Sequence, residues 1–281
     1  MTAPAGSRAE ARLIYARPDL LIDRSTHYCP GCGHGIVHRI LAELLGELDL
    51  AAHTIAVAPV GCAVFAYDYL NVDFVEAPHG RAPAVATGIR RVRPEAFVLT
   101  YQGDGDLAAI GTAEIVHAAA RGERITAIFV NNGIYGMTGG QMAPTTLLGQ
   151  RTTSSPRGRD PELMGYPIRI TEMLAQLPGV AYAARGSVAD VSSIGKLKAM
   201  IKRACEVQIH GAEGSSFAIV EVLSNCPVGW NMTPQESLEH LKTTVAQAYP
   251  VGVIVDRTAG QAAQSTRSAA SEASAPSGSE A

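Results

Sequence analysis

The feature that most constrains this chain is a bracketed segment in its first half. Gly103-Asp104-Gly105-Asp106 opens it, Asn131-Asn132 closes it, and the twenty-five residues 106–130 separate Gly105 from Asn131. The sequence on either side shows what the bracket encloses. Ala96–Tyr101 is a short apolar run with strand character, so Asp104 falls just beyond a strand end. Thr112–Arg121 reads as a helix with Ile115, Val116 and Ala119 on its apolar side, and Ile125–Val130 is the next strand. Asn131 and Asn132 fall just past that second strand. One β-α-β unit therefore carries both polar clusters to the carboxyl edge of a parallel sheet, where open α/β sheets bind ligands. Gly-Asp-Gly alone is more often a turn, but the strand-helix-strand frame and the spacing together favour a binding site.

Carboxylate and amide oxygens at a sheet edge suit a magnesium diphosphate, because Mg²⁺ prefers near-octahedral oxygen ligands and takes only one or two from protein. The bracket resembles the thiamine diphosphate motif. That resemblance implies an oxygen from the Asp104 carboxylate, one from the Asn132 side chain and the backbone carbonyl of Ile134 as Mg²⁺ ligands. Gly103 and Gly105 are expected to let the backbone turn sharply and approach the phosphates. The following helix is expected to turn its positive amino end the same way.

Composition sets the frame around this unit. The chain has 281 residues, 47% of them hydrophobic and only 5% aromatic, which suits strands buried on both faces beneath tightly packed helices. A net charge of −3 gives no electrostatic reason to expect nucleic acid or an anionic membrane as a partner. No apolar run approaches the length of a membrane span, and the amino end lacks a signal-peptide pattern, so a cytoplasmic location is expected. Residues 1–24 read as an arm that lies on a partner, 25–255 as the folded body, and 256–281, rich in Ala and Ser, as a disordered tail.

Of the five cysteines, Cys29 and Cys32 form a CxxC ahead of a helix read over Gly35–Leu48. A thioredoxin-like dithiol, a zinc site and an iron–sulfur cluster are all open to such a pair. Cys62 follows the strand-like run Thr54–Val60 and Cys226 follows the strand Ser216–Leu223, so both emerge at strand ends. Cys205, inside a helix read over Lys196–Gln208, is taken as an ordinary buried thiol.

In order, Cys29-Pro-Gly-Cys32-Gly, Gly61-Cys62, His79-Gly80-Arg81, the bracket and Asn225-Cys226-Pro227 resemble the β (thiamine diphosphate-binding) subunit of the 2-oxoacid:ferredoxin oxidoreductases, from about Tyr28 to Tyr249. The stretches Ala58–Tyr67, Asn131–Gln141 and Cys226–Trp230 are most similar to the 2-oxoisovalerate (branched-chain) type. The resemblance implies a [4Fe–4S] cluster on Cys29, Cys32, Cys62 and Cys226. It implies cofactor contacts from Gly61, His79, Gly80, Arg81, Gly103, Asp104, Gly105, Asp106, Asn132, Ile134, Tyr135, Gly136, Thr138, Gly139 and Gln141. His79 as a loop residue satisfied by backbone, and Arg81 as a helix-start ion pair, are the bland readings of those two. Met137 is a candidate substrate contact, an apolar side chain suiting a branched aliphatic oxoacid.

The activity so implied is coenzyme A-dependent oxidative decarboxylation of a 2-oxoacid, with electrons leaving through the cluster to ferredoxin. The carboxylate that activates the cofactor is expected from an α subunit, without which the chain is inactive; Glu76 and Glu114 are not given that role. Further candidate partners are γ and ferredoxin-like δ subunits. The fold implied is a doubly wound, mostly parallel sheet with helices on both faces. A final strand ending near Cys226 is expected, followed by a helix from Pro234 to Thr244, capped by Thr233 with Glu236 close behind. Trp230 is expected to pack under the cluster loop. The alternatives are a non-oxidative thiamine diphosphate decarboxylase or carboligase subunit, an electron-transfer or metal-binding module without its own catalysis, and a dithiol oxidoreductase using Cys29 and Cys32 alone.

Overall fold

The computed structural model describes residues 15–211 and 214–258. Its strands are β1 (Thr54–Ala58), β2 (Asp73–Glu76), β3 (Phe97–Gly103), β4 (Thr126–Asn131), β5 (Ile134–Tyr135), β6 (Gln141–Met142), β7 (Val180–Ser187), β8 (Phe217–Leu223) and β9 (Gly252–Asp256). Its helices are α1 (His34–Glu47), α2 (Ala82–Val92), α3 (Thr112–Ala120), α4 (Pro161–Met164), α5 (Ile170–Ala175), α6 (Val191–His210), α7 (Pro227–Trp230), α8 (Pro234–His240) and α9 (Ala246–Ala248).

A seven-stranded sheet runs in the order β2-β1-β3-β4-β8-β7-β9. Every pairing is parallel except β7 with β9. β4, β7 and β8 are buried along their whole length, as the near-continuous apolar runs of a sheet covered on both faces require. One core lies beneath α1 and α6, with Val37, Leu41, Leu45, Leu197 and Ile201 against Leu99, Ile128 and Val220. The other lies beneath α2, α3 and α5, with Ala86, Ile115, Ala118 and Leu174 against Val98, Phe129 and Ile219. α1 follows from its sequence: Val37, Ile40, Leu41, Leu44 and Leu45 recur at helical spacing and are all buried.

The strand order brings four loops together. β1, β3, β4 and β8 are consecutive neighbours and parallel, so the segments leaving their carboxyl ends emerge side by side. Those segments carry Cys62, Asp104, Asn132 and Cys226. The cysteine pair at 29 and 32 is tied to the same edge by close packing. A Cβ at Gly31 would lie 2.4 Å from Pro234, and one at Gly33 would lie 2.3 Å from the Ser224 hydroxyl. Asn225 Nδ2 also donates to the Gly31 carbonyl at 2.9 Å.

The folded body differs from the sequence reading at both ends. The strand before Cys226 is not the last, because β9 adds an antiparallel edge beside β7. Arg257 beyond it donates to the Ala175 carbonyl at 2.8 Å, so the body reaches past residue 255. The last part of the arm lies on its own chain rather than only on a partner: Leu21 bridges Leu70, and Ile22 N donates to the Tyr69 carbonyl at 3.0 Å. Residues 1–14 of the arm and 259–281 of the tail fall outside the described residues. Among the described residues no helix is long and apolar enough to cross a membrane.

The Pro234 helix runs on through a π turn (Leu241–Val245) into α9. Its start is a capping box in which Thr233 and Glu236 satisfy each other's backbone N–H groups. Thr233→Ala is expected to lower stability by about 1 kcal/mol, read as a fall in the urea midpoint at unchanged slope.

Candidate active site

A cavity of about 100 Å³ opens at the carboxyl edge, walled by the β3 and β4 loops, the Gly61–Cys62 turn, His34 and residues 134–138. Asp104 lies on its wall, 3% exposed. One oxygen, Oδ1, accepts from Gly105 N at 2.9 Å, and Oδ2 accepts from the Thr145 hydroxyl at 2.6 Å. Burial pushes the carboxyl up to about 6, and these hydrogen bonds oppose the rise. Asn132 and Ile134 share the wall, with Asn132 Oδ1 accepting from Ile134 N at 3.2 Å. The Asn132 carbonyl accepts the Trp230 indole N–H at 2.9 Å, so the sole tryptophan packs on the bracket's closing loop. Asn131 ends β4 and faces away: its Nδ2 donates to Glu221 at 2.7 Å.

The glycines of the opening loop act otherwise than expected. Neither Gly103 nor Gly105 has a positive φ, and Gly105 is helical at φ −64. A Cβ at Gly105 would sit 2.2 Å from the Tyr135 ring, whose hydroxyl donates to the Gly105 carbonyl at 3.0 Å. The position is glycine because an aromatic ring lies on it, not because the chain turns sharply. At Gly103 a Cβ would meet nothing within 4 Å, which leaves room for a ligand over the strand end. The chain enters a π turn (Asp106–Ile110) before α3, so the helical start lies at the loop itself.

Asp106 also reaches the wall, but its oxygens are committed. It accepts from His79 Nδ1 at 2.5 Å, Gly80 N at 2.6 Å and Gln102 Nε2 at 2.6 Å. Asp106 therefore holds His79 on the cavity wall. Arg81 is turned away: it pairs with Glu114 and donates to the Ile110 carbonyl at 3.2 Å, a helix-start ion pair outside the cavity. Gly80 packs on Gly111 instead, 2.7 Å from where its Cβ would be. Tyr135, Gly136, Met137 and Thr138 line the cavity, whereas Gly139 and Gln141 do not. Gln141 instead holds Thr138, accepting its hydroxyl at 2.6 Å.

Cys29, Cys32, Cys62 and Cys226 are free thiols drawn to one place. A Cβ on Gly136 would lie 3.4 Å from Cys226 Sγ and 3.6 Å from Cys62 Sγ. Burial raises the Cys62 thiol to about 11 and Cys226 to about 12; the charges of Cys32 and Cys29 add to the rise at Cys62, and those of Cys32, Cys62 and Cys29 add to it at Cys226. Asp104 is close enough that its charge also bears on Cys62. Cys205 is 2% exposed in α6 among apolar neighbours, outside this group. Among the described residues no three His, Cys, Asp or Glu side chains close on a point tightly enough for a single ion. Sequence reasoning missed His34, whose Nδ1 meets the buried Tyr101 hydroxyl at 2.5 Å, and Thr145. Nothing in the spacing of either marks it.

Known proteins similar to this chain identify its family. Residues 52–222 match the thiamine pyrophosphate enzyme C-terminal TPP binding domain. The ketoisovalerate oxidoreductase subunit VorA of Methanothermobacter marburgensis is 48% identical over 234 residues, covering 83% of this chain and 48% of the relative. The 2-oxoglutarate synthase subunit KorB of Archaeoglobus fulgidus is 37% identical over 230 residues, covering 81% of this chain and 79% of the relative. A solved structure of 2-oxoglutarate:ferredoxin oxidoreductase from Magnetococcus marinus, with 2-oxoglutarate, coenzyme A and succinyl-CoA bound, shares the fold. It aligns at TM-score 0.65 and 24% identity, covering 92% of each chain. This chain carries the C-terminal TPP binding domain of the thiamine pyrophosphate enzymes. Within that class it belongs to the 2-oxoacid:ferredoxin oxidoreductase family, as a thiamine diphosphate-binding subunit. It spans about half the length of the VorA relatives.

A carboxylate must be ionised to hold a cation, and burial has moved Asp104 to about 6. Above that pH the Asp104 carboxylate is charged and free to attract a cation, and below it a proton competes. Calorimetric titration of Mg²⁺ in the presence of thiamine diphosphate should show affinity about tenfold weaker at pH 5 than at pH 7.5.

Proposed function

We propose that this chain is the cofactor-bearing subunit of an enzyme that oxidatively decarboxylates a branched-chain 2-oxoacid of the 2-oxoisovalerate type. The products are the acyl-coenzyme A, carbon dioxide and reduced ferredoxin. The observation that carries this reading is the adjacency of two centres: four free thiols share the carboxyl edge with the Asp104–Asn132 bracket, and Gly136 borders both. A non-oxidative thiamine enzyme has no use for the thiols, and a dithiol oxidoreductase has no use for the bracket.

The residues fit the absent groups by their chemistry. Asp104, Asn132 Oδ1 and the Ile134 carbonyl would hold Mg²⁺ against the diphosphate, and open space over Gly103 would admit it. Cys29, Cys32, Cys62 and Cys226 would hold a [4Fe–4S] cluster, whose positive irons offset the crowding of thiolates. When bound, thiamine diphosphate supplies the electron sink for decarboxylation and the cluster a one-electron acceptor. Asp106 fixes the His79 imidazole toward the same space. Met137, 47% exposed at the cavity, gives an aliphatic oxoacid an apolar neighbour.

Asp104 and Asp106 are the only carboxylates on the cavity wall among the described residues, and both are committed. Glu114 is paired with Arg81. On this reading the carboxylate that activates the cofactor would come from an α subunit, as the resemblance to the family implies. The larger size of the VorA relatives fits a chain that acts with further parts.

Cys62→Ser and Cys226→Ser should each strip iron and the visible cluster absorption from the complex, while Cys205→Ala keeps both. Asp104→Ala should abolish thiamine diphosphate binding and leave iron in place. A panel of 2-oxoisovalerate, pyruvate and 2-oxoglutarate with viologen reduction as readout tests the substrate. The highest kcat/KM is expected for 2-oxoisovalerate, and preference for 2-oxoglutarate would overturn the branched-chain assignment.

A further inference from the structure

One buried cation takes no part in the chemistry above. Arg185, on β7, is 1% exposed. Its guanidinium donates to Glu172 at 2.9 and 2.5 Å, meets Glu221 Oε2 at 2.8 Å and donates to the Pro250 carbonyl at 3.1 Å. Two chains of contacts lead from it to the two halves of the bracket.

The first runs through β8. Glu221 Oε2 also accepts from the Thr171 hydroxyl at 2.6 Å, and Oε1 accepts from Asn131 Nδ2 at 2.7 Å. Asn131 Oδ1 in turn accepts from Gly133 N at 3.2 Å, the turn between Asn132 and Ile134. The second runs through the carboxyl-terminal segment. The guanidinium lies 5.2 Å over the Tyr249 ring, and the Tyr249 hydroxyl donates to the Thr145 carbonyl at 2.8 Å. The Thr145 hydroxyl donates to Asp104 Oδ2 at 2.6 Å. Thr145 is 1% exposed and Tyr249 2% exposed, so neither contact is shared with bulk water.

We propose that Thr145 and Tyr249 on one side, and Asn131 and Glu221 on the other, are positioning residues for the Mg²⁺ site, with Arg185 as their common anchor. This rests on the reading of Asp104 and Asn132 as metal ligands. Mg²⁺ tolerates little departure from octahedral geometry, and its ligands sit on two separate loops. Each loop is held from behind by a neutral side chain: the Thr145 hydroxyl donates to the Asp104 carboxylate, and the Asn131 amide oxygen accepts from Gly133 N in the turn that presents Asn132 and Ile134. Because both side chains trace back to one buried guanidinium, the separation between the loops is set inside the sheet.

The test is Mg²⁺ titration of the full chain in saturating thiamine diphosphate, followed by Trp230 fluorescence and by calorimetry. Trp230 reports directly because its indole N–H is bonded to the Asn132 carbonyl. Thr145→Val and Tyr249→Phe should each weaken Mg²⁺ affinity by about tenfold or more, the usual cost of losing a residue that orients a metal ligand. Thr145→Ser keeps the hydroxyl and should restore affinity to near wild type, which a loss of general packing would not predict. The double variant Thr145→Val, Tyr249→Phe should bind no more weakly than Thr145→Val alone, because both act through the same carboxylate oxygen. Tyr249→Phe removes one oxygen and leaves the ring beneath Arg185, so it keeps the test clear of misfolding. Wild-type affinity in Thr145→Val and Tyr249→Phe, alongside lost affinity in Asp104→Asn, would overturn the proposal. Wild-type affinity in Asp104→Asn itself would overturn the metal assignment and the proposal with it, a distinct result.

Discussion

Parallel pairing of β1, β3, β4 and β8 is the constraint on which this molecule depends. Parallel neighbours end at the same edge, so four loops far apart in sequence leave the sheet side by side. The edge would otherwise hold only loops of unrelated length. Here it holds two cysteines, an aspartate and an asparagine in spatial order Cys62, Asp104, Asn132, Cys226. The CxxC segment reaches that edge by contact rather than by pairing, through glycines too close to Pro234 and Ser224 to carry a side chain. A slip of any one strand would carry its functional residue away from the others, so the fully buried β4 and β8 protect the site by fixing the register.

Charge is the second constraint. Among the described residues the cavity wall carries two carboxylates and no Lys or Arg, and four thiols crowd beside it. Burial raises Asp104, Asp106, Cys32, Cys62 and Cys226 alike. Such a site resists ionisation unless cations offset the charge, which is the role the proposed function gives to Mg²⁺ and cluster iron. The basic residue nearest in sequence, Arg81, is held by Glu114 on the rim and does not relieve the charge. The same electrostatics links the two centres, since the charge of Asp104 already bears on Cys62.

Much of this was legible in the sequence because period and punctuation are local signals. The strands before Asp104, Asn131, Cys62 and Cys226, the helix after Cys32 and the Thr233 cap all lie within a residue or two of where apolar spacing puts them. What the sequence hid depends on contacts between distant residues. Gly105 looks like a turn glycine but has helical dihedrals, and it is glycine because the Tyr135 ring lies across it. For Arg81 the sequence left a cofactor contact and a helix-start ion pair both open, and the Glu114 contact shows where its charge goes. Thr145 sits in a loop with no motif, and its link to Asp104 spans 41 positions. β9 lies beyond the last recognisable motif, where the apolar run Val251–Val255 is too short to announce itself.

The most direct measurement is elemental and cofactor analysis of the complex purified without oxygen from cells that also make its partner subunit. The account predicts about four irons with matching sulfide and one thiamine diphosphate for each copy of this chain. Thiamine diphosphate without iron, in protein never exposed to oxygen, would contradict it, as would iron without thiamine diphosphate.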